Sequence, residues 1–167
     1  PSLNVDFLAD TLTPLVNHPV AFTDLTTGGP TAWTWSISPL TFSYQNGATA
    51  SSQNPVVAFT AKGPYDVSLT ASRNGCSITR SRTAYIHAGT PGLWSGLTSG
   101  DWAIPSNWDN FLIPDATVDV VIPPAAPNWP VYNGNLFIGQ QCRTLKLDGP
   151  TSMMTIGGDL IVQQPAP

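Results

Sequence analysis

From Gly63 to Thr70 the chain alternates without a break: Tyr65, Val67 and Leu69 fall on one side, Asp66, Ser68 and Thr70 on the other. Period-two alternation behind a glycine is the pattern of a strand with one face buried and one face wet. Trp33, Trp35 and Ile37 repeat it upstream, after Thr26-Thr27-Gly28-Gly29-Pro30. The two segments together predict a small sandwich, with a buried tryptophan in one strand and a tyrosine near the start of a late strand. Trp33, Trp35, Tyr65, Val67 and Leu69 are its expected core.

Composition agrees with an all-β chain. All ten acidic residues are Asp and the only lysines are Lys62 and Lys146, so the straight-chain residues that fill exposed helix faces are nearly absent. Hydrophobic residues make up 41%, enough for real cores. A formal net charge of −4 leaves no basic surface for nucleic acid. Arg73, Arg80 and Arg82 are the nearest approach to a basic cluster and read as a solvated strand edge, where charge blocks unwanted pairing. No run of eighteen apolar residues is present, so no membrane-inserted helix is expected. The start at Pro1, without methionine or leader, reads as a mature or excised piece of a longer product.

Seven strands are expected in residues 3–88: near 5–7, 19–23, 32–37, 41–44, 56–60, 65–72 and 77–87. That is the strand count of an immunoglobulin-like sandwich. Within it, Val20-Ala21-Phe22-Thr23-Asp24, Gly29-Pro30-Thr31-Ala32-Trp33-Thr34-Trp35, Ser52-Gln53-Asn54-Pro55-Val56-Val57-Ala58-Phe59 and Gly63-Pro64-Tyr65-Asp66-Val67-Ser68-Leu69-Thr70 follow in order. In that order they resemble the polycystic-kidney-disease (PKD) domain, in the form found in secreted and cell-surface proteins of Bacteroidetes-type bacteria. Many members of that family carry an acidic Asp-Phe-Gly-Asp-Gly turn after the second tryptophan. Here Ser36-Ile37-Ser38-Pro39-Leu40 stands instead, so ion binding at that turn does not carry over.

Gly89-Thr90-Pro91-Gly92 ends the pattern and marks a boundary between residues 1–88 and 89–167. Beyond it, Trp94, Trp102 and Trp108 are spaced by Gly, Ser, Asn and Asp, as in a long folded loop pinned by aromatic anchors. Val118-Asp119-Val120-Val121-Ile122-Pro123 follows. Brief apolar pulses then come at Leu136-Phe137-Ile138, Leu145-Lys146-Leu147, Met154-Thr155-Ile156 and Leu160-Ile161-Val162. Short pulses broken by Gly, Asp or Gln predict a small β-solenoid or β-roll, each pulse one side of a coil. The segment is similar to the adhesin-like repeats found beside PKD domains, and its end at Gln163-Gln164-Pro165-Ala166-Pro167 reads as a truncated coil.

Chemistry is sparse. His18 and His87 are isolated, no Gly-x-Ser-x-Gly elbow occurs, and two Cys with two His give no zinc-ligand spacing. The chain is expected not to be an enzyme and to need no cofactor. Three site readings remain open against plainer ones. Asp101, Asn107 and Asp109, with Asp115 and Asp119 nearby, are candidate calcium ligands; the same residues also cap turns. Trp94, Trp102, Trp108 and Trp129 are candidates for a sugar-stacking platform, Trp129 the most exposed between Pro127-Asn128 and Pro130; large aromatics more often fill cores. Cys76 and Cys142 permit one disulfide without demanding it.

The resulting expectation is a non-catalytic, extracellular or cell-surface module pair, a spacer or adhesive segment of a large bacterial protein. Its partners would be other modules, surface proteins or glycans, and the resemblance implies export by a type IX system. Two other classes compete: a carbohydrate-binding accessory module, and a self-assembling fibre subunit that adds a strand to a neighbour's open edge.

Overall fold

Alternating side chains and glycine turns lay down seven strands in the first part of the chain: β1 Phe7–Ala9, β2 Pro19–Asp24, β3 Ala32–Ser38, β4 Phe42–Gln45, β5 Val56–Phe59, β6 Gly63–Arg73 and β7 Cys76–Ala88. The structure, a computed structural model, describes residues 2–132, 142–149 and 155–156. The chain divides into two compact units, Pro1–Thr90 and Pro91–Pro167.

In the first unit the strands form two antiparallel sheets, ordered β1-β2-β5-β4 and β3-β6-β7. This is the order of a seven-stranded immunoglobulin-type sandwich. The inward positions meet in one core: Phe7, Val20, Phe22, Val57 and Phe59 from one sheet, Trp35, Ile37, Tyr65, Val67, Leu69 and Ile86 from the other. Trp35 sits edge-on to Phe7, centroids 5.1 Å apart, and tilted against Phe22 at 5.3 Å. Its indole N–H donates to the Ser52 carbonyl at 2.9 Å, so burying the ring strands no donor.

Tyr65 opens β6, and its buried hydroxyl lies 2.9 Å from the carbonyls of both Thr41 and Ala61 and 2.7 Å from the Thr41 hydroxyl. With one proton to donate, it ties three chain segments at that corner. Trp33 is half-buried and donates its indole N–H to the Asp24 carboxylate at 2.7 Å; Gln53 and the Thr26 amide reach the same carboxylate. Burial alone would push the Asp24 carboxyl up, but these hydrogen bonds outweigh it and hold it below its ordinary range.

Asn74-Gly75 joins β6 to β7, both residues at positive φ (51° and 80°), which matches the twist of a two-residue hairpin. Across the hairpin, Thr70 pairs with Thr79 and Ser72 with Ser77, each through hydroxyls 2.8 Å apart. The arginines here are not a uniformly solvated edge. Arg82 pairs with Asp6 at 2.8 Å and lies over the rings of Phe7 and Tyr85, and Arg73 donates to the Gly28 carbonyl. Arg82 is drawn in because its register partner on β6 is buried Val67, so it lies on the core side, where a carboxylate and two ring faces receive it.

The second unit pairs differently. Its strands are β8 Asp119–Ile122, β9 Val131–Tyr132, β10 Thr144–Leu147 and β11 Thr155–Ile156. β8 pairs in parallel with β10, and β9 in parallel with β11. Parallel bridges join Leu93 to Val121 and Asp101 to Val131. Three successive passages of the chain therefore lie side by side at two stations: Leu93, Val121 and Lys146 at one, Asp101, Val131 and Thr155 at the other. Glycine sets the closeness of the first passage to the second. Gly92 and Gly96, at φ of 70° and 58°, sit where a Cβ would overlap the carbonyl oxygens of Asp119 and Asn128. The pulses expected at 136–138 and 160–162 lie outside the described residues. No helix among the described residues is long and apolar enough to cross a membrane.

Candidate functional site

The Trp-rich entry, residues 93–110, holds all the candidate ligands but Trp129, Asp115 and Asp119, and it is organised by one amide. Asn107 ends a single 3-10 turn, Pro105–Asn107, with Pro105 at its start fixing φ for the turn. Its side chain is fully buried. The carboxamide oxygen accepts the amides of Thr98 and Ser99 at 3.0 and 2.9 Å; the amide nitrogen donates to the Ser99 hydroxyl at 3.0 Å and the Asp101 carbonyl at 2.7 Å. Both lone pairs and both protons of the amide are thereby used. Its backbone carbonyl also accepts from Ser95 and Gly96.

Folded around that amide, three tryptophans pack on one another. Trp94 and Trp108 stand edge to face at 5.0 Å, Trp102 and Trp108 likewise at 4.7 Å, and Trp94 and Trp102 are stacked at 6.3 Å. With Val120 and Ile122 they make the second unit's core. Trp94 donates its indole N–H to the Asn128 carbonyl at 2.8 Å, and Trp108 to the Trp102 carbonyl at 3.0 Å. Asn128 returns a bond from its amide to the Gly96 carbonyl at 2.7 Å, so it clamps the entry loop from the next passage.

This geometry corrects two of the sequence readings. Trp94, Trp102 and Trp108 are buried and offer no open ring face to a sugar; only Trp129, half-buried against the same core, keeps part of its surface. The reason is that the loop folds back on itself through Asn107, bringing Trp94 and Trp102 each edge to face with Trp108, where the aromatic quadrupoles attract. The calcium set is not assembled either. Asn107 spends its oxygen on backbone amides, exposed Asp101 caps its own turn by accepting from the Ala103 amide at 2.9 Å, and Asp109 is buried. Asp115 caps the next turn through Thr117. Among the described residues no three His, Cys, Asp or Glu side chains group as metal ligands. Cys76, exposed beside the hairpin turn, and Cys142, in the other unit, are both free thiols. Burial, with Asp119 nearby, pushes the Cys142 thiol up, so it is a poor nucleophile.

Sequence reading missed Asn107 as an organiser and Asn128 as its counterpart; an Asn directly before a Trp was the available cue. Asp119 was named beside the candidate calcium ligands, but its ion pair was missed: the carboxylate accepts from Arg143 and the Thr144 hydroxyl across the β8–β10 ladder. Those bonds, Arg143 first, lower its pKa from 3.8 to about 2. A depressed carboxyl stabilises the fold fully above 3.8 and stops doing so as pH falls through about 2. The melting temperature of the second unit is therefore expected to fall more steeply over that interval in wild type than in Asp119→Asn. Parallel curves would remove the assignment.

The family match falls within the first unit. The family model described as PKD domain matches residues 11–86, less than half of the chain's 167 residues. A solved structure of the PKD1 domain of Vibrio anguillarum Epp is 23% identical with a TM-score of 0.38, the match covering 52% of this chain and 94% of that one. A solution NMR structure of a Methanosarcina mazei protein is 24% identical with a TM-score of 0.37, covering 52% of this chain and 54% of that one. No curated protein matches the chain.

Proposed function

We propose, from the premise that residues 11–86 are a PKD domain, that the chain is a non-catalytic spacer or adhesive segment of a large secreted or surface-attached bacterial protein, its second unit built as a short β-solenoid. PKD domains are typically extracellular β-sandwich modules, which supports placing this chain outside the cell. Support for the solenoid is the pair of parallel stations: parallel strands need a long connection between them, and stacked coils supply one at every turn. A Bacteroidetes-type parent, and export by its type IX system, belong to the same proposal.

One observation carries the spacer reading. The Leu12 carbonyl accepts from the His87 amide at 2.8 Å, and the Pro14 carbonyl from the Gly89 amide at 2.9 Å. The residue numbers rise together, so the segment between β1 and β2 and the strand leaving the sandwich run in parallel. Tension on the two ends then shears both bonds at once instead of opening them in turn. That is the loading a tether needs.

Held at its ends and pulled, the sandwich is expected to give one all-or-none rupture. His87→Pro, which deletes one of the two amide donors, is expected to lower the rupture force by roughly half while costing about 1 kcal/mol at equilibrium. Gradual extension at low force, in wild type as in the variant, would sink the spacer reading.

A further inference from the structure

Two Asn-Gly steps turn the chain in the first unit, and all four residues are exposed. Asn46-Gly47 follows β4 with φ of 55° and 74°, and Asn74-Gly75 joins β6 to β7 with nearly the same pair, 51° and 80°. At both glycines the position of the missing Cβ is open, with no atom within 4 Å. Local sequence and local backbone are therefore alike, and the flanks differ. Asn74-Gly75 is held on both sides: Arg73 faces Cys76 in register, and hydroxyl pairs at 2.8 Å join Ser72 to Ser77 and Thr70 to Thr79. Asn46-Gly47 is held by the ladder on one side. Gln45 ends β4 opposite Val56, whereas the chain beyond the turn leaves the sheet, its Ala48 amide returning to the Gln45 carbonyl at 2.9 Å.

We propose that Asn46-Gly47 is a self-modification site that converts, with water as the only reagent, to aspartate and isoaspartate, and that Asn74-Gly75 is protected by its hairpin. The Gly47 amide nitrogen, its proton taken by base, attacks Cγ of Asn46. A C–N bond forms to the backbone, the bond from Cγ to the side-chain nitrogen breaks, and that nitrogen leaves as ammonia after picking up a proton. Water then opens the five-membered imide at either carbonyl, giving Asp or isoaspartate with no change of oxidation state. Glycine puts no side chain in the way of the attack. A left-handed pair of residues does not present the glycine nitrogen to Cγ, so the peptide between them must first turn over. Ring closure is slow beside such openings, and its rate follows the population of the opened turn. A single laddered flank makes that population larger at Asn46 than at Asn74.

The product reaches the core through one loop. Isoaspartate adds a methylene to the backbone just upstream of Thr49–Ser52, where the Thr49 amide donates to the Ser52 hydroxyl at 3.0 Å. That loop serves Trp35: the Ala50 carbonyl accepts its amide at 2.8 Å and the Ser52 carbonyl its indole N–H at 2.9 Å. Lengthening the chain there loosens both carbonyls. The inference stands apart from the spacer reading.

The test is to age the full chain in mildly alkaline buffer, once folded and once in denaturant, and to follow amide-to-acid conversion at residues 46 and 74 by peptide mass mapping. Isoaspartate is counted by enzymatic methylation of its free carboxyl. In the folded chain Asn46 is expected to convert about threefold faster than Asn74 or more. In denaturant the two rates are expected to coincide, which assigns the difference to the fold and not to the neighbouring residues. Where isoaspartate has formed, the Trp35 amide is expected to exchange with solvent faster. The proposal is overturned by equal rates in the folded chain, by faster conversion at Asn74, by a difference that persists in denaturant, or by unchanged exchange at Trp35 in the converted fraction.

Discussion

Trp108→Ala is expected to abolish the independent melting transition of the second unit or lower its stability by ~3–5 kcal/mol, the usual cost of emptying a large aromatic site. The ring is fully buried, lies edge to face with both Trp94 and Trp102, and donates to the Trp102 carbonyl. Its loss opens a cavity at the centre of a small core in which, among the described residues, Val120 and Ile122 are the buried apolar residues beside the three rings. Denaturation followed by tryptophan fluorescence should show the sandwich transition, reported by Trp35, unchanged. A loss below ~1 kcal/mol would mean that the ring is not the centre of the core.

Asn107→Asp is the second large effect, and it separates two readings of one residue. As an organising amide, Asn107 donates to the Ser99 hydroxyl and the Asp101 carbonyl from a site closed to water. A carboxylate there keeps the acceptor and replaces the donor by a charged oxygen aimed at a carbonyl. The expected loss is ~3 kcal/mol or more, through an unpaired buried charge. Were the residue a calcium ligand, the added charge would tighten the metal and the variant would be rescued by calcium. Chemical denaturation with and without ~1–10 mM calcium decides it. Overlapping curves for the variant are expected; a calcium-dependent gain would reinstate the metal.

The seven strands of the first unit are legible because each carries its own evidence, apolar residues at every second position and turn residues at the ends, and β6 shows this over its whole inward face. The Asn74-Gly75 hairpin is local in the same sense. Arg82 was not legible, since its partners Asp6 and Phe7 come from the far end of the unit. In the second unit the contacts that set the two stations are long-range. Leu93 beside Val121, or Asp101 beside Val131, leaves no trace in a window of neighbouring residues. The tryptophan spacing marked an aromatic anchor, but a ring in a polar loop has the same local signature whether it faces solvent or its neighbours. Asn107 is ambiguous for a chemical reason: a carboxamide oxygen serves an amide or a cation equally well, and only the fold shows which comes within reach.

The glycine contact at the start of the second unit has a consequence for the order in which the molecule is made. The sandwich has all its strands once Ala88 has been synthesised. The stretch that follows has no such freedom. Gly92 abuts the Asp119 carbonyl, Leu93 waits for Val121, and Trp94 donates its indole N–H to the Asn128 carbonyl, so the first passage must stay open until the second has left the ribosome. Three tryptophans remain wet throughout that interval, next to a finished domain. The vulnerable moment for aggregation or proteolysis is thus set by chain growth, between Trp94 and Asn128, and a pause in elongation there would lengthen it.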